Sequence, residues 1–470
     1  MKQLLRNLKV ILVLFIVLAF SLLVGIVYHQ YKSNKVLLSS TGESKEALAE
    51  RFAHAGTVYS ADDVELAFSS EGERHYCVDR ELAAAFLQTV GDYTQNITNT
   101  IESSYQDHLT GGGRAPWYQL MFDFTGKGLQ GDDIHLTLNS ELTRYAYRQL
   151  GDRRGSIVVL NYKTGEVQCM VSTPSTDPWN VITYEDIPDT ALFNRSLLSS
   201  YKPGSTFKIV TGTAWLSDKN FDPNLTVLCK GSEPLFGVGS VTENTANAGH
   251  GEIQIEDAYA YSCNHFFGTV AATIGGSKLE QQAEKFGYNQ ALNLDRLHIN
   301  SGEFQLEAGN TNLLTWQAIG QPLGDAKLFL SPMQMAMIAG AIANDGQMLV
   351  PHVIKYMVNP LGFKYEKSRA SSISTVTSPE IAKQITKYLK SVVAYGTGIG
   401  ADRADMEIAG KTGTAEYQRG DGEIVTNSLF TGFIADSEHP YAVAVVLEDS
   451  EGGAADIAGG VLAEAKELGE

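Results

Sequence analysis

Residues Val10 to Tyr28 carry no charge. As a helix rising about 1.5 Å per residue, the run spans roughly 28 Å, close to the thickness of a bilayer core. Lys2, Arg6 and Lys9 precede it, and Lys32 and Lys35 follow it, with Glu43 and Glu46 soon after. The basic bias favours a cytoplasmic N-terminus and an external body. No small-x-small cleavage site follows the run, so it reads as an uncleaved anchor rather than a signal peptide or a buried core helix. The expected organisation is a tail over 1–9, a transmembrane anchor over 10–28, a small mixed pedestal or interaction module over 29–130, and one larger domain over 131–470.

The 470 residues allow two or three domains, and 43% hydrophobic with 19% charged residues fits a globular chain with a full core. A net charge of −18 argues against nucleic acid as a partner, because phosphate binding needs a basic face. Cys77, Cys169, Cys229 and Cys263 are widely spaced and lack a C-x-x-C pair. An external location permits disulfides, but single buried thiols are the preferred reading. The histidines are scattered without H-E-x-x-H or paired ligand spacing, so no metal site and no cofactor are expected.

In the pedestal, Ala53 to Phe68 and Arg74 to Arg80 read as short strands, and Thr110 to Arg114 as a glycine-rich loop. From Gly131 the pattern sharpens. Asp133 to Asn139 alternates like a strand, and Ser140 to Leu150 has helical spacing with Asn139 or Ser140 as N-cap. Ser156 to Tyr162 and Glu166 to Val171 read as strands joined by a tight turn at Lys163-Thr164-Gly165. Residues 205–217 and 328–344 read as buried helices, and Ser378 to Val393 as an amphipathic one capped by Ser378. Met406 to Tyr417, Ser428 to Ala435 and Tyr441 to Leu447 read as an antiparallel meander, and a helix over Ala454 to Leu468 closes the chain. Strands at both ends with helices between predict an α/β (α+β) domain.

Three short motifs occur in order: Ser205-Thr206-Phe207-Lys208, Ser262-Cys263-Asn264 and Lys411-Thr412-Gly413. Two have decoys. Ser199-Ser200-Tyr201-Lys202 also fits Ser-x-x-Lys, but Lys202 precedes Pro203 and is pushed out of helical geometry. Ser205 follows Pro203-Gly204 and opens an apolar run, which places it in the first turn of a helix with Lys208 on the same face. The N–H groups of that turn suit an oxyanion. Lys-Thr-Gly at 163–165 is the hairpin turn, whereas the copy at 411–413 sits in a strand. Glycine inside a strand signals close approach of another chain, here expected to be an extended peptide substrate. Ser262 and Asn264 lie two apart, so a loop between helices is needed to bring both into one cleft. For Lys208 to act as a base its pKa must fall from about 10.4, by burial or a nearby cation, and Lys411 is the candidate cation. Lys411, Thr412 and Thr414 suit a terminal carboxylate. Gly396 to Gly400 resembles a glycine loop but lacks the strand-before, helix-after context of a dinucleotide site, and reads as a turn before the strand that carries Lys411.

With these residues the chain resembles the class B penicillin-binding proteins, and among them the penicillin-binding protein A group. Arg154 to Pro174, Gly249-His250-Gly251, Gly320-Gln321, Ser331 to Ala336 and Ala343 to Gly346 add to the likeness, as does Thr100-Ile101-Glu102 through Gly111. The resemblance implies a bacterial plasma-membrane protein whose extracytoplasmic domain has the penicillin-binding/β-lactamase-like fold, a central antiparallel sheet flanked by helices. It implies D,D-transpeptidation of peptidoglycan stem peptides: Ser205 as nucleophile, Lys208 as proton acceptor, Ser262 as relay, and the N–H groups of Ser205 and Thr414 as oxyanion hole. Asn264, Lys411, Thr412, Gly413 and Thr414 would bind the D-Ala-D-Ala donor, with an amine as acceptor and β-lactams as covalent inhibitors. The segment before the domain is too short for a glycosyltransferase, so a separate membrane-embedded glycan polymerase is the expected partner. Where the family has an aromatic pair after the catalytic strand, this chain has Leu429-Phe430, which alters the expected cleft wall. A hydrolase of the same fold, either carboxypeptidase or β-lactamase, and a silent penicillin-binding sensor or division scaffold remain as alternatives. Division, elongation and sporulation roles are equally open.

Overall fold

The computed structural model describes residues 2–38, 45–113, 125, 130–243, 249–306, 309–418 and 422–469; Arg114 of the expected glycine-rich loop lies outside them. Residues Lys2–Leu38 form one helix, and its Arg6–Gly25 portion is long and apolar enough to cross a membrane.

The body is organised on a five-stranded antiparallel sheet, ordered Ile408–Gln418, Ile424–Ile434, Tyr441–Leu447, Gly155–Asn161, Val167–Thr173. The three late strands form the expected meander, and Tyr441–Leu447 then pairs with Gly155–Asn161 from the start of the domain. Alternation explains how both faces are buried. On the Tyr441–Leu447 strand, Val443, Val445 and Leu447 join one core with Leu142, Leu150, Ile457 and Val461. Ala442, Ala444 and Val446 turn the other way, into the core that holds Met333, Met337 and Ala341. Small residues on that second face let the helix Pro332–Ala343 lie close against the sheet. With both faces covered, the strand reads as continuous apolar sequence.

Several local expectations hold. Asn139 caps the helix Ser140–Leu150, and its side chain accepts from the Leu142 N–H at 2.9 Å. Ser378 caps Pro379–Ala394. In the 163–165 turn, Asn161 Oδ1 accepts from the N–H groups of Lys163 and Thr164 at 2.9 and 3.0 Å. Others change. Residues 328–344 divide into the strand Lys327–Phe329 and the Pro332–Ala343 helix, because Ser331 is an N-cap with proline behind it.

The expected strand at Arg74–Arg80 ends early, at Tyr76. Asp79 accepts from the N–H groups of Glu81 and Leu82 and starts the helix Arg80–Val90. That helix is buried from Leu82 to Val90. Ala53–Phe68 contributes only Val58–Tyr59 and the start of Glu65–Ser70. These strands belong to a second, six-stranded sheet that also takes Asp133–Leu136, Ile354–Val358 and Lys364–Tyr365, so strands from both sides of residue 130 share one sheet.

A buried ion pair fixes this second layer. Arg74 Nε donates to Glu102 Oε1 at 2.7 Å, Tyr76 Oη donates to Glu102 Oε2 at 2.7 Å, and Arg74 Nη1 donates to the Gly56 carbonyl at 2.8 Å. Both charged side chains are fully shielded from solvent. Breaking one side leaves a buried charge without its partner, so Arg74→Met is expected to lower stability by about 3–5 kcal/mol, read from denaturant midpoints. The double variant Arg74→Met/Glu102→Leu should recover most of that loss; a double variant as unstable as the single one would show that the pair is not the cause.

Candidate active site

A cleft of about 540 Å³ opens where the sheet edge meets the helical region, and Ser205, Ser262, Asn264, Thr412, Gly413 and Thr414 line it. The fold thus brings six of the eight expected residues to one surface. Lys208 and Lys411 are completely buried.

Ser205 is not in an α-helical first turn as expected. Gly204–Phe207 is a 3-10 turn, and the α-helix begins at Lys208 and runs to Leu216. Within this turn Thr206 Oγ1 donates to the Pro203 carbonyl at 2.7 Å. Ser262 sits in the expected loop between the helices Ile255–Ala260 and Asn264–Ile274, with φ at +58°. The left-handed residue turns the chain so that Ser262 and Asn264 both face Lys208.

Lys208 Nζ donates to the Ser262 carbonyl at 2.6 Å, to Ser262 Oγ at 3.0 Å and to Asn264 Oδ1 at 2.7 Å. Three acceptors match the three protons of an ammonium. No such hydrogen bond joins Lys208 to Ser205. Burial lowers the Lys208 pKa to about 8, while Glu243 and Cys263 oppose the shift. Of the two routes expected from sequence, burial or a Lys411 cation, it is burial that lowers Lys208. Repulsion between the two lysines is expressed at Lys411, which burial and the Lys208 charge push well below the usual lysine range.

Lys411 Nζ donates to the Thr412 carbonyl at 3.2 Å, and Thr412 Oγ1 shares a 2.7 Å hydrogen bond with Thr397 Oγ1. Thr397 comes from the Gly396–Gly400 stretch, read from sequence only as a turn; its placement depends on the long-range contact with the strand. Gly413 pairs with Leu429 across the sheet. A Cβ at Gly413 would lie 2.8 Å from the Pro203 carbonyl and 3.0 Å from Thr206 Cγ2. On that side the approaching chain is thus the turn carrying Ser205, not the substrate peptide expected from sequence. Gln321 Nε2 donates to the Thr414 carbonyl at 2.6 Å and braces the same strand.

Of the decoy pair, Ser199 ends the short helix Arg195–Leu198 and is buried outside the cleft, while Lys202 reaches the cleft rim, where its Nζ donates to the Glu416 carbonyl at 3.2 Å. Leu429, in place of an aromatic, is nearly fully buried and forms part of the cleft wall. Sequence reading gave no site role to Trp316, Tyr261, Glu243 or His250, which also line the cleft; their signal lies in tertiary proximity alone.

Comparison with known proteins agrees with this geometry. Residues 155–465 match the family described as "Penicillin binding protein transpeptidase domain". The chain is 27% identical over 418 residues to "Peptidoglycan D,D-transpeptidase PbpA" of Mycolicibacterium smegmatis, covering 84% of this chain and 83% of that one. A crystal structure of the "D,D-Transpeptidase Domain of Peptidoglycan Glycosyltransferase from Eggerthella lenta" superposes with a TM-score of 0.75 at 28% identity, covering 88% of this chain and 98% of that one. Penicillin-binding protein A from M. tuberculosis, solved as a penicillin G acyl-enzyme, gives a TM-score of 0.76 over 88% of this chain and 99% of that one. At 23% identity that likeness concerns the fold alone. The family match spans well over half of the sequence and contains all three motifs, so the chain belongs to the penicillin-binding protein transpeptidase family.

Proposed function

We propose that the chain is a membrane-anchored peptidoglycan D,D-transpeptidase that works through an acyl-enzyme on Ser205. The observation that carries this reading is the buried Lys208, lowered to about 8 and hydrogen-bonded to both Ser262 and Asn264 beside the Ser205 cleft. Ser205 Oγ attacks the penultimate D-alanine carbonyl and gives its proton to neutral Lys208. The N–H groups of Ser205 and Thr414 hold the oxyanion. The C–N bond to the terminal D-alanine breaks, and the proton passes from Lys208 through Ser262 to the leaving amine. An amine from a neighbouring stem peptide then attacks the ester: the new C–N bond forms, the ester C–O bond breaks, and the amine's proton returns through Ser262 and Lys208 to Ser205 Oγ.

Asn264 orients the donor backbone, while Lys411, Thr412 and Thr414 take the terminal carboxylate. An arriving carboxylate favours the charged form of Lys411. By repulsion, that charge favours the neutral form of Lys208, so donor binding prepares the base. Gly413 keeps the strand close to the nucleophile turn. Gly413→Val is therefore expected to slow penicillin acylation on the order of 10²-fold while leaving the thermal midpoint within a few degrees, measured by fluorescent penicillin labelling. An unchanged labelling rate would mean the strand need not sit so close.

In this reading residues 1–9 are cytoplasmic, 10–28 cross the plasma membrane, 29–130 form an interaction module, and 131–470 act outside the membrane on strands made by a separate glycan polymerase. Intact-mass and peptide mapping of the penicillin adduct tests the nucleophile: the acyl group is expected on Ser205 and not on Ser199. Cross-linked product from lipid-linked substrate, absent in Ser205→Ala, tests the reaction. Steady turnover of penicillin would point to a hydrolase, and labelling without any cross-linked product would point to a scaffold.

A further inference from the structure

Four side chains with metal-binding atoms meet beside the cleft, and the acyl transfer uses none of them. One ligand atom each from Cys229, Glu243, His250 and Cys263 lie within 4.8 Å of one another. Cys229 Sγ is 3.5 Å from Glu243 Oε1 and 3.4 Å from His250 Nδ1. A tetrahedral zinc ion, with Zn–S of about 2.3 Å and Zn–N or Zn–O of about 2.0–2.2 Å, sets its ligand-to-ligand edges at about 3.3–3.8 Å. Both separations fall in that window.

The fold builds this cluster from four separate segments. Strands Val227–Cys229 and Gly251–Ile253 pair Cys229 with Gly251, which sets His250 next to the thiol. Gly249 has φ at +80°, and a Cβ there would lie 2.3 Å from the Gly231 nitrogen and 2.4 Å from the Cys229 carbonyl, so only glycine lets the hairpin close. The Glu243 N–H donates to the Gly231 carbonyl at 3.0 Å, and its Oε1 accepts from the His265 N–H at 3.0 Å. Cys263 caps the helix Asn264–Ile274. The His250 ring stacks on Tyr261 with centroids 5.9 Å apart. Cys229, Glu243 and Cys263 are buried, whereas His250 is half-buried and faces the cleft, which gives an ion a way in.

A second observation points to a cation. Glu243 is only 7% exposed, and its carboxylate is met by a thiol and a backbone N–H. Glu243 already feels the charge of Lys208, and a carboxylate so deeply buried gains further from a cation held in direct contact. Two thiolates and an imidazole select zinc over the oxygen-seeking calcium and magnesium.

We infer that Cys229, Glu243, His250 and Cys263 form a structural site for zinc, which ties the Val227–Ile253 hairpin to the loop carrying Ser262 and Asn264. On binding, both thiols release their protons to solvent and His250 ligates as neutral imidazole, so no oxidant or reductant is needed. The new thiolate charges offset the charge of the ion, and the net charge near Lys208 is unchanged. Cys263 lies between the two residues that hold Lys208. An ion on it pins the left-handed Ser262 in place.

The test uses the full chain in detergent, reduced, stripped with a chelator and titrated with zinc chloride against a chromogenic competitor. One zinc per chain is expected, with about two protons released per ion and a higher thermal midpoint. Cys229→Ala and His250→Ala should lose the tight uptake and the zinc-dependent midpoint shift while melting near the metal-free wild type. Cobalt should replace zinc with a thiolate-to-cobalt absorption band that Cys229→Ala weakens. Absence of stoichiometric uptake by the reduced wild type would overturn the site, as would equal uptake by the double variant Cys229→Ala/His250→Ala. A Cys229–Cys263 disulfide found in place of metal in the protein as isolated would overturn it too. None of these readouts depends on acyl transfer, so failure here leaves the proposed function standing.

Discussion

Lys208→Met is expected to slow acylation by penicillin by about 10³–10⁴-fold and, at the same time, to make the protein more stable. The first effect follows from loss of the group that accepts the Ser205 proton. The second follows from burial. Lys208 has no exposed surface, and its pKa falls from an ordinary 10.5 to about 8. The unfolded chain therefore binds this proton more tightly than the folded one. The penalty on folding is fully present below pH 8, shrinks as pH rises from 8 to 10.5, and is absent above that range. Its size near neutrality is about 3 kcal/mol, since each tenfold loss of proton affinity on folding costs about 1.4 kcal/mol. Methionine fills similar space without the charge, so the variant should unfold at a higher denaturant midpoint at pH 7. Ser262 and Asn264 lose a donor in exchange, which trims the gain. A variant with normal acylation would remove Lys208 from the reaction. A strongly destabilised one would mean that its three hydrogen bonds outweigh its desolvation.

The pH profile of acylation is the second large effect. Lys208 accepts a proton only when neutral, and its pKa stands at about 8 in the free protein. The second-order rate constant for penicillin acylation should therefore rise about tenfold per pH unit up to pH 8 and level off above it, so that pH 6 is roughly 100-fold slower than the plateau. Stopped-flow quenching of intrinsic fluorescence, or labelling timed against a fluorescent penicillin, reads this directly. Deprotonation of Lys411, which burial and the Lys208 charge bring well below the usual lysine range, opposes the trend, because a neutral Lys411 no longer attracts the inhibitor carboxylate. A flat profile between pH 6 and 9 would exclude Lys208 as the base.

Much of the site was legible in sequence because its parts are local. Proline placement distinguished Ser205 from Ser199, and the strand around Gly413 distinguished Lys411 from Lys163. Both distinctions rest on backbone rules that act within a few residues. The strands of the meander and the caps at Asn139 and Ser378 were legible for the same reason. The helix Arg80–Val90 was missed although Leu82, Phe86 and Val90 recur at helical spacing, because the strand before it was carried past the Asp79 cap.

The sequence by itself thus determined the long apolar helix near the N-terminus, the choice of Ser205 and Lys208 for the proposed nucleophile and base, and the strand that faces them, since each follows from hydrophobic length, proline geometry or period. Tertiary structure alone decided what surrounds them. It set the partners of Lys208, put the nucleophile turn rather than a substrate against Gly413, and drew strands from both sides of residue 130 into one sheet. It also gathered Cys229, Glu243, His250 and Cys263. The physical reason is common to all of these. Burial, charge coupling and ligand geometry depend on distances in space, and residues far apart along a chain carry no spacing rule that reveals when folding will bring them together.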